Sequence, residues 1–417
     1  MADNSLKDGP LTGLRVLDLS RILAGPTCTQ LFGDLGADVI KIERPVAGDD
    51  TRRWGPPFVQ VDGEDSQESA YYLCANRNKR SLAVDMASSE GQEIIKKIAA
   101  ESDIVVENFK VGDLKRRGLD YESLKAINPK LIYCSISGFG QTGPYAPRAG
   151  YDFLIQGMGG IMSLTGQPDS AGGAPTKAGV GIADVMCGMY ASNAVLAALH
   201  ARNQTGEGQY IELSLLDTQV SWLINQGAAY LTDRKVPGRL GNGHPSIVPY
   251  ETFPASDKQF ILAVGNDTQF AKFLALSDRS DLLEDDRFPT NVARVKNRQY
   301  VVGILSEITQ TKTADEWLQL LASNGVPCGP VNNLEEVFND PQIQHREMEI
   351  AMDHETADSG KVHLIGNPIK MSDTPITYRN PPPRVGQHSA EVLGELGYSD
   401  EDIKQFSENQ TISDGRL

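Results

Sequence analysis

Residues 178–217 read AGVGIADVMCGMYASNAVLAALHARNQTGEGQYIELSLLD, and the remainder of the chain is organised around this stretch. A glycine-rich run precedes Asp184. Between Val185 and Leu199 nearly every residue is apolar, which predicts a helix buried on almost all of its faces. Tyr210–Leu216 then alternates apolar and polar residues as a strand does. The pattern predicts a core helix that leads into a sheet.

Asp184 has two interpretations from its local sequence. Aspartate is a favoured N-cap residue, and an anion is stabilised at the start of a helix. A carboxylate can also attack an activated acyl group when its site is dry and its orientation is fixed. The small residues before Asp184 would allow a bulky ligand to approach the backbone. Both interpretations stay open on these residues alone.

The N-terminal half alternates predicted strands and helices. Such alternation is typical of a parallel sheet covered by helices, so we predict an α/β fold with a Rossmann-like large domain. The polar stretch 45–70 predicts a long loop of the functional kind. Ser89 with Gln92 fits a capping box. The predicted strands are Arg15–Ser20, Asp38–Glu43, Ser81–Asp85, Asp103–Glu107 and Leu131–Ile136; the predicted helices are Gly25–Gly36, Ser89–Glu101, Gly112–Arg117, Tyr121–Ile127 and Val220–Leu231.

Residues 138–143 match the GxGxxG pattern of dinucleotide-binding loops. That motif must open a helix, but Pro144 and Pro147 follow at once. We therefore predict a loop here and no nicotinamide or flavin site.

We predict three regions along the chain. Residues 1–229, which begin with a polar lead-in over 1–13, form the first part of the large domain. Residues 230–325 form a smaller α+β domain with a capping box at Thr313 and Glu316. Residues 326–417 return onto the large domain through a hairpin between Met352 and Ile365 and an extended proline-rich strap over 374–385.

Composition excludes several functions. The 417 residues carry a net charge of −16, which argues against nucleic acid as the main partner. Five scattered cysteines without a CxxC motif predict free thiols and no metal site. No leader and no membrane span are recognised, so we expect a cytoplasmic protein.

Nine short motifs run through the chain in one order, and together they resemble the family III CoA-transferases of the CaiB/BaiF type, which include formyl-CoA and carnitine-CoA transferases. Within the family, NGHPSIVPY at 242–250 most resembles the succinyl-CoA:glutarate subgroup. The motifs are LAGP at 23–26, GADVIKIERP at 36–45, NRNKRS at 76–81, ENFKVG at 107–112, RAGYD at 148–152, GIAD at 181–184, TGEGQ at 205–209, GVPCGPV at 325–331 and GQHS at 386–389.

The resemblance implies a large Rossmann-like domain, a small domain and an interlocked homodimer. It implies an enzyme that moves CoA from a donor such as succinyl-CoA to an acid such as glutarate. Asp184 would be the nucleophile, with an aspartyl anhydride and an aspartyl-CoA thioester as intermediates. CoA thioesters would be substrates, and no cofactor would stay bound. A formyl-CoA:oxalate-type transferase is an alternative.

The resemblance also implies contacts with CoA. A local basic cluster at Lys110, Lys115, Arg116 and Arg117 would let an acidic protein bind this polyanion, although charge alone favours a solvated helix face. The implied residues are Arg44 at the adenine or ribose-phosphate end, Val84 and Asp85 at the adenine, Asn108, Phe109, Lys110 and Arg116 at the phosphates and pantetheine, and Arg148, Tyr151 and Asp152 near the thioester.

Two further features concern the reaction type and the acceptor. The related α-methylacyl-CoA racemases have a histidine base where this chain has Tyr151, and tyrosine is a poor base at neutral pH, so transfer is favoured over racemisation. Gly241, Asn242 and Gly243 lie where the family has a mobile glycine loop that would supply oxyanion donors. Arg21 and His244 are candidates for the distal carboxylate of the acceptor, and His244 is equally an inconsequential loop residue.

Overall fold

The structure is a computed structural model that describes residues 9–413 and 415. The first eight residues of the predicted lead-in lie outside this range. The chain divides into two compact units. The larger unit comprises residues 1–160, 178–227 and 342–417, and the smaller one comprises 161–177 and 228–341. The domain boundaries that the sequence predicts after residues 229 and 325 remain predictions.

Fourteen strands lie within the described residues. Six of them form the parallel core of a seven-stranded sheet. The strands are β1 Arg15–Asp18, β2 Asp38–Glu43, β3 Phe58–Val61, β4 Glu64–Ser69, β5 Lys79–Val84, β6 Ile104–Glu107, β7 Ile132–Ser137, β8 Tyr210–Ser214, β9 Tyr250–Pro254, β10 Gln259–Ala263, β11 Cys328–Pro330, β12 Glu349–Asp353, β13 Lys361–Ile365 and β14 Ile412–Ser413.

Seventeen α-helices lie in the same part of the chain. They are α1 Ala24–Asp34, α2 Ala70–Leu73, α3 Ser89–Ala100, α4 Tyr121–Ile127, α5 Asp152–Met158, α6 Ile161–Leu164, α7 Ile182–Thr205, α8 Leu215–Ser221, α9 Ile224–Asp233, α10 Asp267–Leu276, α11 Asn291–Lys296, α12 Arg298–Thr309, α13 Ala314–Ser323, α14 Leu334–Asn339, α15 Pro341–His345, α16 Ser389–Glu395 and α17 Asp400–Glu408.

The large sheet has the strand order β14-β5-β2-β1-β6-β7-β8. All neighbours are parallel except β14, which pairs with β5 in the antiparallel sense. Numbered among themselves, the six parallel strands follow the order 3-2-1-4-5-6, which is that of the Rossmann fold. The predicted α/β class and Rossmann-like sheet are confirmed. The order reverses between β1 and β6, and ligands of such sheets bind at that switch point.

The two faces of the sheet have separate cores. Val16, Ile104 and Cys134 pack with α1 and α7, whereas Leu17, Val105 and Tyr133 pack on the opposite face with α3 and α4. This alternation follows from the two-residue period of a strand. Helices α1 and α7 approach closely because a Cβ on Gly188 would lie 2.5 Å from the carbonyl oxygen of Ala24.

Helix α7 departs from the prediction that nearly all of its faces are buried. Residues such as Cys187, Ala191 and Val195 are buried on one side, but Met189 and Tyr190 are exposed. The helix has 24 residues and contains an 18-residue window with a mean hydropathy of 1.5, so it is also long and apolar enough to cross a membrane. The expectation that no segment has the length and hydropathy of a membrane span was therefore wrong. A buried core helix can have the same length and hydropathy.

Several local predictions were wrong. Part of 45–70 is not loop, because β3 and β4 pair there as a hairpin. The N-cap of α3 is Ser88, whose side chain accepts from the Gly91 N–H, so Ser89 forms no capping box. The predicted helix Val220–Leu231 breaks between α8 and α9, where Ile224 adopts a positive φ of 36°. The short helix predicted over Gly112–Arg117 is present only as a 3₁₀ helix at Lys115–Arg117.

The other regions agree with their predictions. In the smaller unit β9, β10 and β11 form an antiparallel sheet that packs with Phe253, Phe273 and Trp317, and the capping box at Thr313 and Glu316 is present. In the larger unit β12 and β13 form the predicted hairpin. Residues 374–385 contain no helix or strand, as expected of a proline-rich strap.

Candidate active site

Asp184 lies in the first turn of α7, which begins two residues earlier at Ile182. The N-cap residue is Gly181, so the interpretation of Asp184 as a cap was wrong. Asp152 serves that purpose instead, because its Oδ1 atom accepts from the Ala183 N–H at 2.7 Å. The carboxylate of Asp184 is therefore not occupied in holding the helix start.

A small network supports this helix start. Gln156 donates from Nε2 to the second oxygen of Asp152 at 2.7 Å and accepts from the Ala178 N–H at 2.9 Å. The network connects the starts of α5 and α7 and the glycine-rich run between them. Asp152 thus supports the backbone of the first turn of α7 in this structure, and it does not line the cavity beside Asp184.

Asp184 is 9% exposed. Among the described residues none donates a hydrogen bond to its carboxylate. Burial, and then the nearby charge of Asp152, raise the pKa of Asp184 to about 7. A buried carboxylate with so little stabilisation is a strong functional candidate because its environment is not arranged for structural stability.

A cavity of about 430 Å³ opens beside Asp184, within the larger unit. Its walls come from the segments after β1, β6 and β7 and from the first turn of α7, so it lies at the switch point of the sheet. The structure brings seven of the predicted residues to this cavity. They are Arg21, Asn108, Phe109, Lys110, Arg148, Tyr151 and Asp184.

The base of this cavity is held by cross-links between the segments after β1 and β6. The Asn108 side chain accepts from the Arg21 N–H at 2.8 Å and donates to the Arg21 carbonyl at 2.6 Å. Ile22 follows with a φ of 72°, which is unusual for a β-branched residue. The Asp49 carboxylate accepts from the Ile22 N–H at 3.3 Å. Strain of this kind persists only where several contacts enforce it, and it is common at functional sites.

Two buried ion pairs lie beneath this segment. Lys41 pairs with Asp49 at 3.0 Å and donates to the Ser20 carbonyl at 2.9 Å. Lys79 pairs with Asp18 at 3.0 Å and donates to the Pro26 carbonyl at the same distance. Although burial opposes ionisation, the two ammonium groups hold the pKa of Asp18 below its ordinary value. The lysines therefore fix both ends of the segment that contains LAGP.

A second cavity, of about 340 Å³, adjoins the first and shares Arg21 and Phe109 with it. Predicted residues Arg44, Val84 and Asp85 line it. Asp50 pairs with Arg21 at 3.1 Å and also contacts Arg44, so one carboxylate bridges the two arginines. The cavities together form a continuous lining from the predicted adenine end to Asp184.

The basic cluster is divided between these surfaces. Arg117 lines the second cavity, whereas Lys115 lines a third one of about 320 Å³ that adjoins the first and shares Lys110 with it. Arg116, which the resemblance singled out, lines none of the three. Its side chain is 73% exposed and pairs with Asp113.

The predicted glycine loop lies in the smaller unit. The Asn242 side chain donates to Thr252 Oγ1 at 3.0 Å, and the His244 N–H donates to the Tyr250 carbonyl at 3.0 Å. Arg298 donates to the His244 carbonyl at 2.5 Å. Gly241 has a φ of 61°, and Gly243 also belongs to this turn. The four residues Gly241, Asn242, Gly243 and His244 are therefore held by local hydrogen bonds.

Sequence reasoning missed two aromatic residues near Asp184. Trp54 lines the first cavity and contacts Tyr71 edge to face, with ring centres 5.2 Å apart. Burial and then the charge of Asp184 raise the pKa of the Tyr71 hydroxyl to about 12. The sequence feature that could have indicated Trp54 is the long polar stretch 45–70, which contains this residue and was expected to be functional.

Comparisons with known proteins identify the family of this chain. The model of CoA-transferase family III matches residues 11–389. A succinate–glutarate CoA-transferase of Agrobacterium fabrum is 47% identical over 396 residues, covering 95% of this chain and 98% of the relative. The human succinyl-CoA:glutarate CoA-transferase is 43% identical over 404 residues, covering 97% and 89% of the two chains.

A solved structure shows the same fold. The crystal structure of a CaiB/BaiF family protein from Brucella suis has a TM-score of 0.83 and 49% identity, covering 93% of this chain and all of the other. The extent of the family match, the sheet topology and the curated relatives lead to one conclusion: the chain belongs to CoA-transferase family III and is a CoA-transferring enzyme.

Proposed function

We propose that the enzyme transfers CoA from succinyl-CoA to a dicarboxylic acid such as glutarate, with Asp184 as the nucleophile. The observation that carries the proposal is a buried carboxylate without a hydrogen-bond partner among the described residues, facing a cavity at the switch point of the sheet. Relatives that are 47% and 43% identical support the choice of substrates.

The proposed reaction is a double displacement in which activated acyl bonds are exchanged. Asp184 attacks the donor thioester, and CoA leaves as the thiolate. The thiolate then attacks the aspartyl carbonyl, which forms aspartyl-CoA and releases succinate with an oxygen atom from Asp184. The acceptor carboxylate attacks aspartyl-CoA and expels the CoA thiolate, which leaves an anhydride between the acceptor and Asp184. The thiolate then attacks the acceptor acyl carbon of this anhydride and releases Asp184 as a carboxylate. Each step conserves an activated bond, so no outside energy source enters.

The two adjoining cavities suit an extended CoA molecule. In our proposal Arg44, Val84 and Asp85 contact its adenine end, with Arg117 beside them in place of the exposed Arg116. Asn108, Phe109 and Lys110 follow the pantetheine towards Asp184, and Arg148 and Tyr151 lie near the thioester. Gly241–Gly243 would supply oxyanion donors, and His244 stays a candidate for the acceptor.

An oxygen-tracing experiment tests this sequence of steps. Glutarate labelled with ¹⁸O in both carboxylates is incubated with succinyl-CoA and enzyme. One labelled oxygen should pass to Asp184 in the first turnover and leave in succinate in a later one, since either oxygen of Asp184 can attack. Mass spectrometry of succinate and glutaryl-CoA reads the result. Glutaryl-CoA formation with unlabelled succinate would contradict the aspartyl route, and absence of glutaryl-CoA would contradict the substrates.

The pKa of Asp184 predicts a pH dependence. Only the ionised carboxylate attacks, and its pKa is raised to about 7. We therefore expect kcat/KM for succinyl-CoA to rise about tenfold per pH unit below 7 and to level off above it, since this constant reports groups of the free enzyme. Initial rates from pH 5.5 to 9 measure the profile. A constant value down to pH 5.5 would show that Asp184 is already ionised there.

A racemase is the competing use of the same aspartate. Tyr151 lies beside Asp184 in the first cavity, in the position where the related racemases have histidine. We expect no exchange of the α-proton when 2-methylacyl-CoA is incubated with enzyme in deuterium oxide. Exchange at a rate comparable to CoA transfer would favour racemisation.

We also propose that the enzyme is a homodimer, interlocked as the resemblance implies. Apolar residues of the larger unit support this, because Phe153, Val180 and Ile224 are each more than 60% exposed and Tyr190 of α7 is 41% exposed. Exposed apolar surface of this extent is typical of an interface. Light scattering at micromolar concentration should give about twice the mass of the chain. A cytoplasmic location stays a prediction.

A further inference from the structure

Arg148 is the arginine of the first cavity whose charge is not neutralised by a described carboxylate. Its polar side-chain contact is a distant one, 4.0 Å from Nη2 to the sulfur of Met158. The guanidinium carbon lies 5.0 Å from the ring centre of Phe139 and 4.7 Å from that of Tyr145. The two rings meet edge to face at 5.6 Å. Contacts with ring faces hold an arginine while its N–H groups stay available in the guanidinium plane.

The other cations of this cavity are less suited to a small carboxylate. Arg21 already pairs with Asp50 at 3.1 Å, and its guanidinium lies 5.0 Å from the Phe109 ring centre. Lys110 has a single ammonium group, which attracts an anion without fixing its orientation. Among the described residues that line this cavity, only Arg148 offers a planar fork without a carboxylate partner, and such a fork matches the two oxygens of a carboxylate.

The cavity also contains the surface that the rest of such a substrate needs. Asp184 must contact the reacting carbonyl, and Arg148 lines the same space of about 430 Å³. Apolar groups of Ile22, Ile136 and Leu215 contribute to its lining. A dicarboxylic acid has a carboxylate at each end of an apolar chain. One carboxyl group would face Asp184, the chain would contact the apolar lining, and the other carboxylate would face Arg148.

We propose that Arg148 binds the distal carboxylate of the acyl group during transfer and thereby makes the enzyme selective for dicarboxylates. The assignment rests on the proposed CoA transfer. It gives Arg148 a role distinct from the CoA contacts around Lys110 and from the ion-paired Arg21. Because donor and acceptor acids pass through the same aspartyl site, one arginine serves both halves of the reaction.

Acceptor selectivity tests the assignment. Transfer from succinyl-CoA is measured to glutarate and to pentanoate, which has the same chain length but one carboxylate. In a double displacement, kcat/KM for the acceptor reports only the half-reaction that the acceptor enters. Arg148→Met should lower this constant for glutarate on the order of 100-fold and change it about threefold or less for pentanoate, because a hydrogen-bonded ion pair is lost only with glutarate. Arg148→Lys should lie between.

Lys110→Met is the matched control, since it removes a cation of the same cavity. It should lower kcat/KM for both acids equally, through weaker binding of the CoA part of aspartyl-CoA. If Arg148→Met reduces both acids alike, or reduces neither, the assignment is overturned while CoA transfer stands. If wild-type enzyme transfers CoA to no acid, the proposed function fails and takes this assignment with it.

Discussion

We expect Asp184→Asn to abolish CoA transfer, with a loss in kcat on the order of 10³-fold or more, because an amide cannot form the anhydride. The substitution keeps the size of a side chain that has no described hydrogen-bond donor, so the fold should persist. Formation of glutaryl-CoA and the intact mass of the aspartyl-CoA adduct are measured for both proteins. Arg116→Met is the control, since that side chain is exposed and lines none of the described cavities beside it. Near-normal turnover by Asp184→Asn would exclude this residue as the nucleophile.

The same substitution should stabilise the protein in a pH-dependent way. The folded-state pKa of Asp184 is about 7, against an ordinary value of 3.8. Folding therefore opposes ionisation, and the wild type loses stability as the pH rises from about 4 to about 7. Asp184→Asn removes this loss, with a gain of up to about 4 kcal/mol above pH 7 and little gain near pH 4. Urea unfolding at pH 4.5 and 8 measures the difference, and an equal effect at both values would contradict the raised pKa.

Lys79→Met should have the largest effect on stability. Lys79 is fully buried, and its ammonium group contacts Asp18, the Pro26 carbonyl and Asn76 Oδ1, each at 3.0 Å. Removal of one partner leaves the Asp18 carboxylate buried without its nearest cation. We expect the free energy of unfolding to fall by about 3–5 kcal/mol. Activity should fall as well, since Lys79 fixes the segment that contains the strained Ile22.

Denaturant unfolding at pH 7.5 measures this loss, again beside Arg116→Met. The exposed pair of Arg116 with Asp113 should contribute less than about 1 kcal/mol. If both variants lose the same small amount, Lys79 does not stabilise the segment after β1 in the way that its contacts indicate.

Local sequence determined the elements from which this protein is built. Periodicity placed the parallel strands and the core helix because burial of one or both faces imposes a repeat of two or 3.6 residues. The motifs around Asp184, Asn108 and Arg44 indicated the family, and the structure places these residues along two adjoining cavities. Patterns of three or four residues, such as the capping box predicted at Ser89, were less decisive. The N-cap residue of α3 is Ser88.

Tertiary structure decided what Asp184 can do. Asp184 does not cap its own helix because Asp152 accepts from the Ala183 N–H, and these two residues are 31 positions apart in the sequence. The support below the site depends on Lys79 and Asp18, 61 residues apart. Whether Arg21 or Arg148 has a free charge depends on where Asp50 lies. The sequence specifies which residues are present. Their burial, their ion pairs and their pKa values arise only when distant segments meet, because the electrostatic free energy of a charged group depends on its surroundings.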